Sequence, residues 1–412
     1  MTTGMQGEAD ASAGISFVME LGAALHRFGT PAHRLEGAMG AVARQLQLEA
    51  HILSTPTSIM AGFGPLTDQR HVLVRVDPGE INLEKLAALD RVAGQVAGGA
   101  LSVAVGVEQV RAITERSPRW RSPLIVLALG ALSASSAVFF AGGWHDVAVS
   151  GAIGLLIGLL ALAFRFVPAG SRVFELVAAT VAAAMAHGAV ALELPVSLRT
   201  CILAGVIALL PGYTLTVAMN EVATRNLVSG TARLTAAAVA FLEITFGVAL
   251  AEIVMHRLVG TPDPAAMIVA TPVPAWMELV ALVVFVPAAM IELGAHPRHL
   301  PAIAVGCAAA YYSSRLGSDL LTPELGAALG GFALAAGSNI YARLADRPAM
   351  VPLVPGLLLL VPGSMGLRSL SSMLDRDIVS GIDTAFAMIL VAVSLVAGLL
   401  VANATISPRR EL

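Results

Sequence analysis

From Pro123 onward one apolar run follows another, whereas residues 1–120 mix apolar and polar positions at short period. Ten of these runs are of membrane-spanning length, about 20 residues each. They cover 124–141, 146–164, 173–193, 197–217, 234–255, 275–293, 299–316, 321–341, 350–366 and 382–406. In the first part, Ile15–Phe28 and Pro31–Leu48 carry helical periodicity on either side of Gly29-Thr30-Pro31. There Thr30 is expected to cap a helix that starts at Pro31. Ala50–Ser54, Ser58–Phe63 and His71–Val76 read as short strands, separated by Gly62-Phe63-Gly64-Pro65 and followed by Asp77-Pro78-Gly79. Asn82–Val96 and Leu101–Ile113 read as helices. The pattern predicts an α-helical polytopic membrane protein preceded by a small soluble α+β domain, large enough for a core of its own.

Composition excludes one large soluble domain: 57% of the 412 residues are hydrophobic, 13% are charged and the mean hydropathy is +0.80, against about 25% charged in soluble proteins. A net charge of −3 leaves no basic excess for nucleic acid. Cys201 and Cys307 lie far apart in apolar runs and suggest neither a disulfide framework nor a metal site. His26 and His33 straddle a helix break and lack metal-pair spacing. No cofactor is expected. Met1–Ala13 holds no Lys or Arg, which argues against a cleaved signal peptide.

Positive charge in the connections orients the chain. With the N-terminal domain cytoplasmic, 13 arginines lie inside, among them Arg225, Arg233, Arg298, Arg343, Arg409 and Arg410. Five lie outside: Arg199, Arg257, Arg315, Arg368 and Arg376. Both termini are therefore expected in the cytoplasm, with the protein multi-pass in the cell (inner) membrane.

The chain repeats itself. Leu209-Leu210-Pro211-Gly212 recurs as Leu360-Val361-Pro362-Gly363, an offset of 151. Without a gap, Arg225-Asn226-Leu227-Val228-Ser229-Gly230 meets Arg376-Asp377-Ile378-Val379-Ser380-Gly381, and Gly247 meets Gly398. Glu175-Leu176 pairs with Glu324-Leu325 after a shift of two residues. Ten spans then divide into two five-helix repeats, and an odd number of spans inverts the second copy, a plan that recurs in secondary transporters. The expected division is 1–120 soluble domain, 121–257 first repeat, 258–273 linker and 274–412 second repeat.

Pro211-Gly212 and Pro362-Gly363 fall inside corresponding spans, where proline removes a donor and glycine tolerates unwound backbone. Paired breaks point to a binding site, so Pro211, Gly212, Asn220, Pro362, Gly363 and Ser364 are the candidate substrate contacts; a packing kink is the plain alternative. Val351-Pro352-Leu353-Val354-Pro355-Gly356 suggests a second interruption in the ninth span. Glu243, mid-span with no Lys or Arg nearby, is the candidate proton carrier, with His187 as a relay; both also suit simple interhelical hydrogen bonding. Glu175 and Glu324 begin their helices, where a negative charge is favoured. Glu221, Arg225, Asn226, Asp375, Arg376 and Asp377, in the loops after the breaks, are either gating groups or ordinary loop residues. No Walker, HExxH, G-x-S-x-G or GxGxxG pattern occurs, which disfavours an ATP-driven pump and the commoner hydrolases.

The sequence resembles the threonine/serine exporter family over most of its length. Gly29-Thr30-Pro31-Ala32-His33-Arg34-Leu35-Glu36 is similar to the family's N-terminal signature, a glycine-led turn followed by R-x-E. Pro211-Gly212 through Ser229-Gly230-Thr231-Ala232-Arg233-Leu234 resembles its first membrane half, and Pro348 through Pro362-Gly363 its second. In some relatives these halves are separate chains; here they are fused. The chain departs from the pattern at Asn220-Glu221, where the family often has Arg-Asp, and at Asn226, where it has Asp. The resemblance implies ten membrane helices, a cytoplasmic N-terminal domain and proton-driven export of small hydroxy amino acids, threonine and serine. The implied partners are that substrate, protons and the lipid bilayer, with a homo-oligomer left open. Two other readings stand beside it: a dicarboxylate exporter, since split-chain relatives are associated with succinate-like substrates, and a membrane-anchored enzyme or sensor acting through residues 1–120.

Overall fold

A computed structural model describes residues 2–167, 170–260, 271–374 and 376–407. The N-terminal region contains helices Thr2–Arg27 (α1) and Ala32–Gln45 (α2). Three strands follow, Ala50–Thr55 (β1), Ser58–Phe63 (β2) and Arg70–Arg75 (β3), then helices Leu83–Ala97 (α3) and Val103–Glu115 (α4). The strands form an antiparallel meander in the order β1-β2-β3, with Ala50 opposite Phe63 and Ser58 opposite Arg75. Alternation along β2 turns Ile59, Ala61 and Phe63 onto Phe17, Leu21, Leu25, Leu35 and Leu89 of the helices. Asn82 caps α3 by accepting the Lys85 N–H, and Ser102 caps α4 in the same way.

At α2 the expected cap is replaced. The chain is extended at Pro31 (φ −61°, ψ 151°), so Pro31 rather than Thr30 occupies the cap position and offers no side-chain acceptor. The Thr30 hydroxyl is buried without a partner. The N–H of Ala32 instead donates to Glu221 Oε1, 189 residues away, at 2.9 Å.

The remaining helices are Ser122–Phe139 (α5), Trp144–Phe164 (α6), Phe174–Ala191 (α7), Leu198–Gly205 (α8), Gly212–Ala223 (α9) and Leu227–Val259 (α10). After residues 261–270, which lie outside the described part and hold most of the expected linker, come Met277–Glu292 (α11), Leu300–Leu320 (α12), Pro323–Ala345 (α13), Met350–Leu360 (α14), Gly363–Leu374 (α15) and Ile378–Thr405 (α16). Each of the ten apolar runs thus lies on a helix or a broken pair. Among the described residues, seven stretches are long and apolar enough to cross a membrane: α5, α6, α7, α10, α13, α14–α15 and α16. The pair α8–α9, bent by 47°, makes an eighth if it counts as one span. Neither α11, only 16 residues long, nor α12 is among them, and the second half of α12 carries Ser314, Arg315, Ser318 and Asp319.

One expected interruption is absent. Helix α14 continues through Pro352 and Pro355. Pro352 stands in the first turn, where its missing N–H costs nothing, and Pro355 withholds only one helical bond. The break comes at Val361 instead.

Packing in the two halves corresponds. Helix α7 lies along α10 as α13 lies along α16, α9 meets α10 as α15 meets α16, and α10 touches α15 as α16 touches α9. Arg225 and Arg376 have left-handed backbones (φ 66° and 65°). The following N–H groups, of Asn226 and Asp377, bond the carbonyls of Glu221 and Ser372. At Gly247 a Cβ would lie 2.5 Å from the Leu176 carbonyl of α7, and at Gly398 it would run into the Ala328 carbonyl of α13.

The N-terminal domain covers one end of the bundle. The first N–H groups of α3, from Leu83 and Glu84, donate to the carbonyls of Leu293 and Gly294 just past α11 at 3.0 and 3.2 Å. One helix end thereby satisfies the other. Trp120 Nε1 donates to the Ala295 carbonyl and Ser229 Oγ to the Ser54 carbonyl. The domain's apolar core runs on into Val286, Met290, Met350 and Val354 without a gap.

Candidate functional site

Both breaks follow from the residue before proline, which is forced out of helical conformation. Leu210 (φ −66°, ψ 127°) ends the short 3₁₀ turn Ile207–Leu209, and Val361 (φ −68°, ψ 136°) ends α14. The chain restarts as α9 at Gly212 and as α15 at Gly363. The two glycines stand back to back: a Cβ on Gly212 would lie 3.1 Å from Gly363 Cα, and one on Gly363 would lie 3.3 Å from Gly212 Cα. Residues 151 apart in sequence therefore meet at one point between the halves.

A cavity of about 450 Å³ opens beside this point toward the domain end. Leu209–Thr214 and Gly363 form one wall, and Glu175 of α7, Glu292 of α11 and Ala236, Ala237 and Ala240 of α10 form the others. The first N–H groups of α9 have no carbonyl of their own helix to bond and carry the positive end of its dipole. Glu292 Oε2 is buried without a partner. The site therefore offers anion-binding backbone and two carboxylates within one enclosure. Glu292 stands next to the end of the apolar run 275–293 and is not among the site residues expected from the sequence; an acid near the end of such a run is its only signal.

Pro362 is buried and Ser364 half-buried at the start of α15. Glu324 is also in the first turn of its helix, whose cap is Thr322, so of the symmetric pair only Glu175 reaches the central cavity. Glu243 is half-buried on α10. It falls between Ala236–Ala240, which line the central cavity, and Thr245–Glu252, which line a second one.

Nearer the N-terminal helices a separate pocket of about 40 Å³ lies between Pro31, His33, Tyr213, Asn220 and Asn339. Glu221 is fully buried there, 3.1 Å from Arg233 and bonded to the Ala32 N–H at 2.9 Å. Asn220 Nδ2 lies 3.4 Å from His33 Nε2. Burial, reinforced by Arg34, pushes the His33 imidazole down to about 4, so it is neutral near pH 7. Burial also raises the neighbouring Glu36 carboxyl, helped by Glu221 and opposed by the Ser54 N–H. This pocket brings the Gly29–Glu36 motif against Asn220 and Glu221, which stand on the last turns of helix α9 and not in the loop where the sequence places them.

At the opposite end a cavity of about 730 Å³ is lined by Asp146, His187, Arg199, Thr245, Glu252 and Arg368, among others. Asp146 is fully buried and accepts the N–H groups of Gly143 and Ser197 at 2.8 and 2.7 Å, tying two connections together. His187 bonds through Nδ1 to the Ala183 carbonyl one turn back, leaves Nε2 buried and unpartnered, and meets the His256 ring edge-on at 6.0 Å. The loop candidates have local roles. Arg225 and Arg376 are exposed turn residues, Asn226 donates to Thr224, and Asp377 caps α16 by accepting the Ser380 N–H. Asp375 lies outside the described residues, as do Arg409 and Arg410.

A family model described as a threonine/serine exporter (ThrE) matches residues 16–255, and a second, Threonine/Serine exporter, ThrE, matches residues 277–405. Among curated proteins, an uncharacterised protein of Schizosaccharomyces pombe is 25% identical over 96% of this chain and 51% of its own length. Pheromone-regulated membrane protein 10 of Pichia sorbitophila is 28% identical over 87% of this chain and 37% of its own, and that of Candida albicans 29% over 90% and 34%. The chain thus spans about half or less of these relatives. No solved structure matches it.

Proposed function

The chain belongs to the threonine/serine exporter family, and from that membership we propose that it exports threonine and serine across the cell membrane, driven by the proton gradient. The family is one of membrane exporters. The observation that carries the mechanism is the meeting of Gly212 with Gly363 beside a cavity that holds Glu175 and Glu292. The amides at the start of α9 receive the substrate carboxylate, and a cavity carboxylate receives its ammonium.

Under this reading ten helices span the membrane as two inverted five-helix repeats, divided as the sequence predicts. The corresponding contacts, the matched left-handed arginines and the equivalent glycine crossings support that symmetry. The N-terminal domain is cytoplasmic, as are both termini, and it stands over the inner mouth. The central cavity and the far-end cavity are the two faces of one alternating-access pathway. Glu243, on the stretch of α10 between them, exchanges the proton as one repeat rocks against the other.

Replacing Glu243 by Gln tests the coupling. The variant should reach the membrane at normal levels and still exchange threonine across it, while uphill transport in a pH gradient is abolished. Unchanged uphill transport removes Glu243 from the mechanism.

A further inference from the structure

We propose that the far-end cavity contains a carboxylate-binding site centred on the Arg368 guanidinium; this deepens the export reading and rests on it for the identity of the ligand. Arg368 lies on α15 shortly after the break at Gly363 and lines the 730 Å³ cavity. Its Nε is shielded from solvent and bonds to nothing in the protein. The Phe140 ring lies 5.6 Å from the guanidinium carbon and holds it by a cation–π contact. Such stacking fixes the guanidinium plane and leaves its fork of N–H groups for a ligand.

The charges around it define that ligand. Arg199 lines the same cavity, and among the described residues no carboxylate forms an ion pair with either arginine. Asp146 is committed to the Gly143 and Ser197 amides. His187 bonds its own helix. Two guanidiniums therefore face one space in which, among the described lining residues, Glu252 is the remaining acid. A guanidinium binds a carboxylate through two parallel hydrogen bonds, and Glu252 offers a partner to the ammonium of an amino acid. A dicarboxylate would place its second acid group on Arg199 instead. Both ligands share the carboxylate that Arg368 recognises. The residue matching Arg368 in the first repeat is Val217, so the guanidinium has no counterpart at that position.

The test uses the full chain in phosphatidylcholine nanodiscs. Phenylglyoxal modification of Arg368 is followed by mass spectrometry, with exposed Arg376 as the internal reference. Threonine should slow modification of Arg368 several-fold, threonine methyl ester should not, and Arg376 should react at an unchanged rate. Protection by succinate but not threonine would keep the carboxylate site and refute the hydroxy amino acid reading. Equal protection by the methyl ester, or none by threonine, succinate or acetate, would overturn the site and leave an arginine that is only stacked on Phe140. As a second measurement, Arg368→Gln should raise the far-side half-saturating concentration for exchange by roughly tenfold or more, with Arg368→Lys between it and the native protein. A half-saturation unchanged in Arg368→Gln would also overturn the proposal.

Discussion

Replacing Glu221 by Ala should release helix α2 from the bundle. Its carboxylate is fully buried and holds two groups that otherwise have no partner there, the first N–H of α2 and the Arg233 guanidinium. Removing one member of a buried ion pair costs about 3–5 kcal/mol, because the other charge stays behind desolvated. Arg233 keeps 20% of its side chain exposed and recovers part of its hydration, which places the cost near the lower end, at about 3 kcal/mol. A loss of that size raises the undocked population by roughly two orders of magnitude. Glu221→Gln keeps an acceptor for the Ala32 N–H and should lose about half as much. Hydrogen exchange across residues 32–45 in nanodiscs reads the opening directly, and Trp120, bonded to the Ala295 carbonyl, reports undocking by fluorescence. Adding Arg233→Ala to Glu221→Ala should cost less than the sum of the two single changes, since the orphaned charge disappears with its partner. Exchange in α2 that stays within about threefold of the native rate in Glu221→Ala would refute the reasoning.

Acid should weaken the same contact. His33 binds its proton at about 4 when docked and near 6.5 when free, so between those values the undocked state holds more protons and docking weakens as pH falls. The full effect, reached below about pH 4, is at most about 3 kcal/mol. Glu36, whose folded value is raised, acts in the opposite sense, so the His33 part is read as the difference between native protein and His33→Gln in exchange at pH 7 and pH 5. Gly212→Ala and Gly363→Ala should each cost about 1–3 kcal/mol by overpacking, with coupled rather than additive losses of melting temperature and transport. Asp146→Ala should cost about 2–4 kcal/mol, because two buried N–H groups lose their acceptor, and should lower the melting temperature without changing exchange in α2.

Much of the fold is written locally. The amphipathic periods of residues 15–113 and the turn residues between them mark α2 to α4 and all three strands within a few positions, because each depends on near neighbours alone. The Leu-Pro-Gly and Val-Pro-Gly breaks are legible for the same reason: proline acts on the residue before it whatever surrounds it. The contacts made at distance are less legible. Thr30 has every local feature of a cap, yet the acceptor at α2 comes from Glu221 in another part of the chain. Pro352 and Pro355 have the composition of an interruption, but one stands in the first helical turn and a well-packed helix tolerates the other. Glu292 and Asp146 carry no local mark that singles them out, and only packing shows that one faces the central cavity while the other pins two connections.

The central claim is gradient-driven movement of threonine and serine through the pathway between the halves. It is tested most directly by efflux of labelled threonine and serine from proteoliposomes with and without an imposed pH gradient. The account predicts efflux of both amino acids that accelerates with the gradient and fails in Glu243→Gln. Efflux of succinate with neither amino acid moving would contradict it.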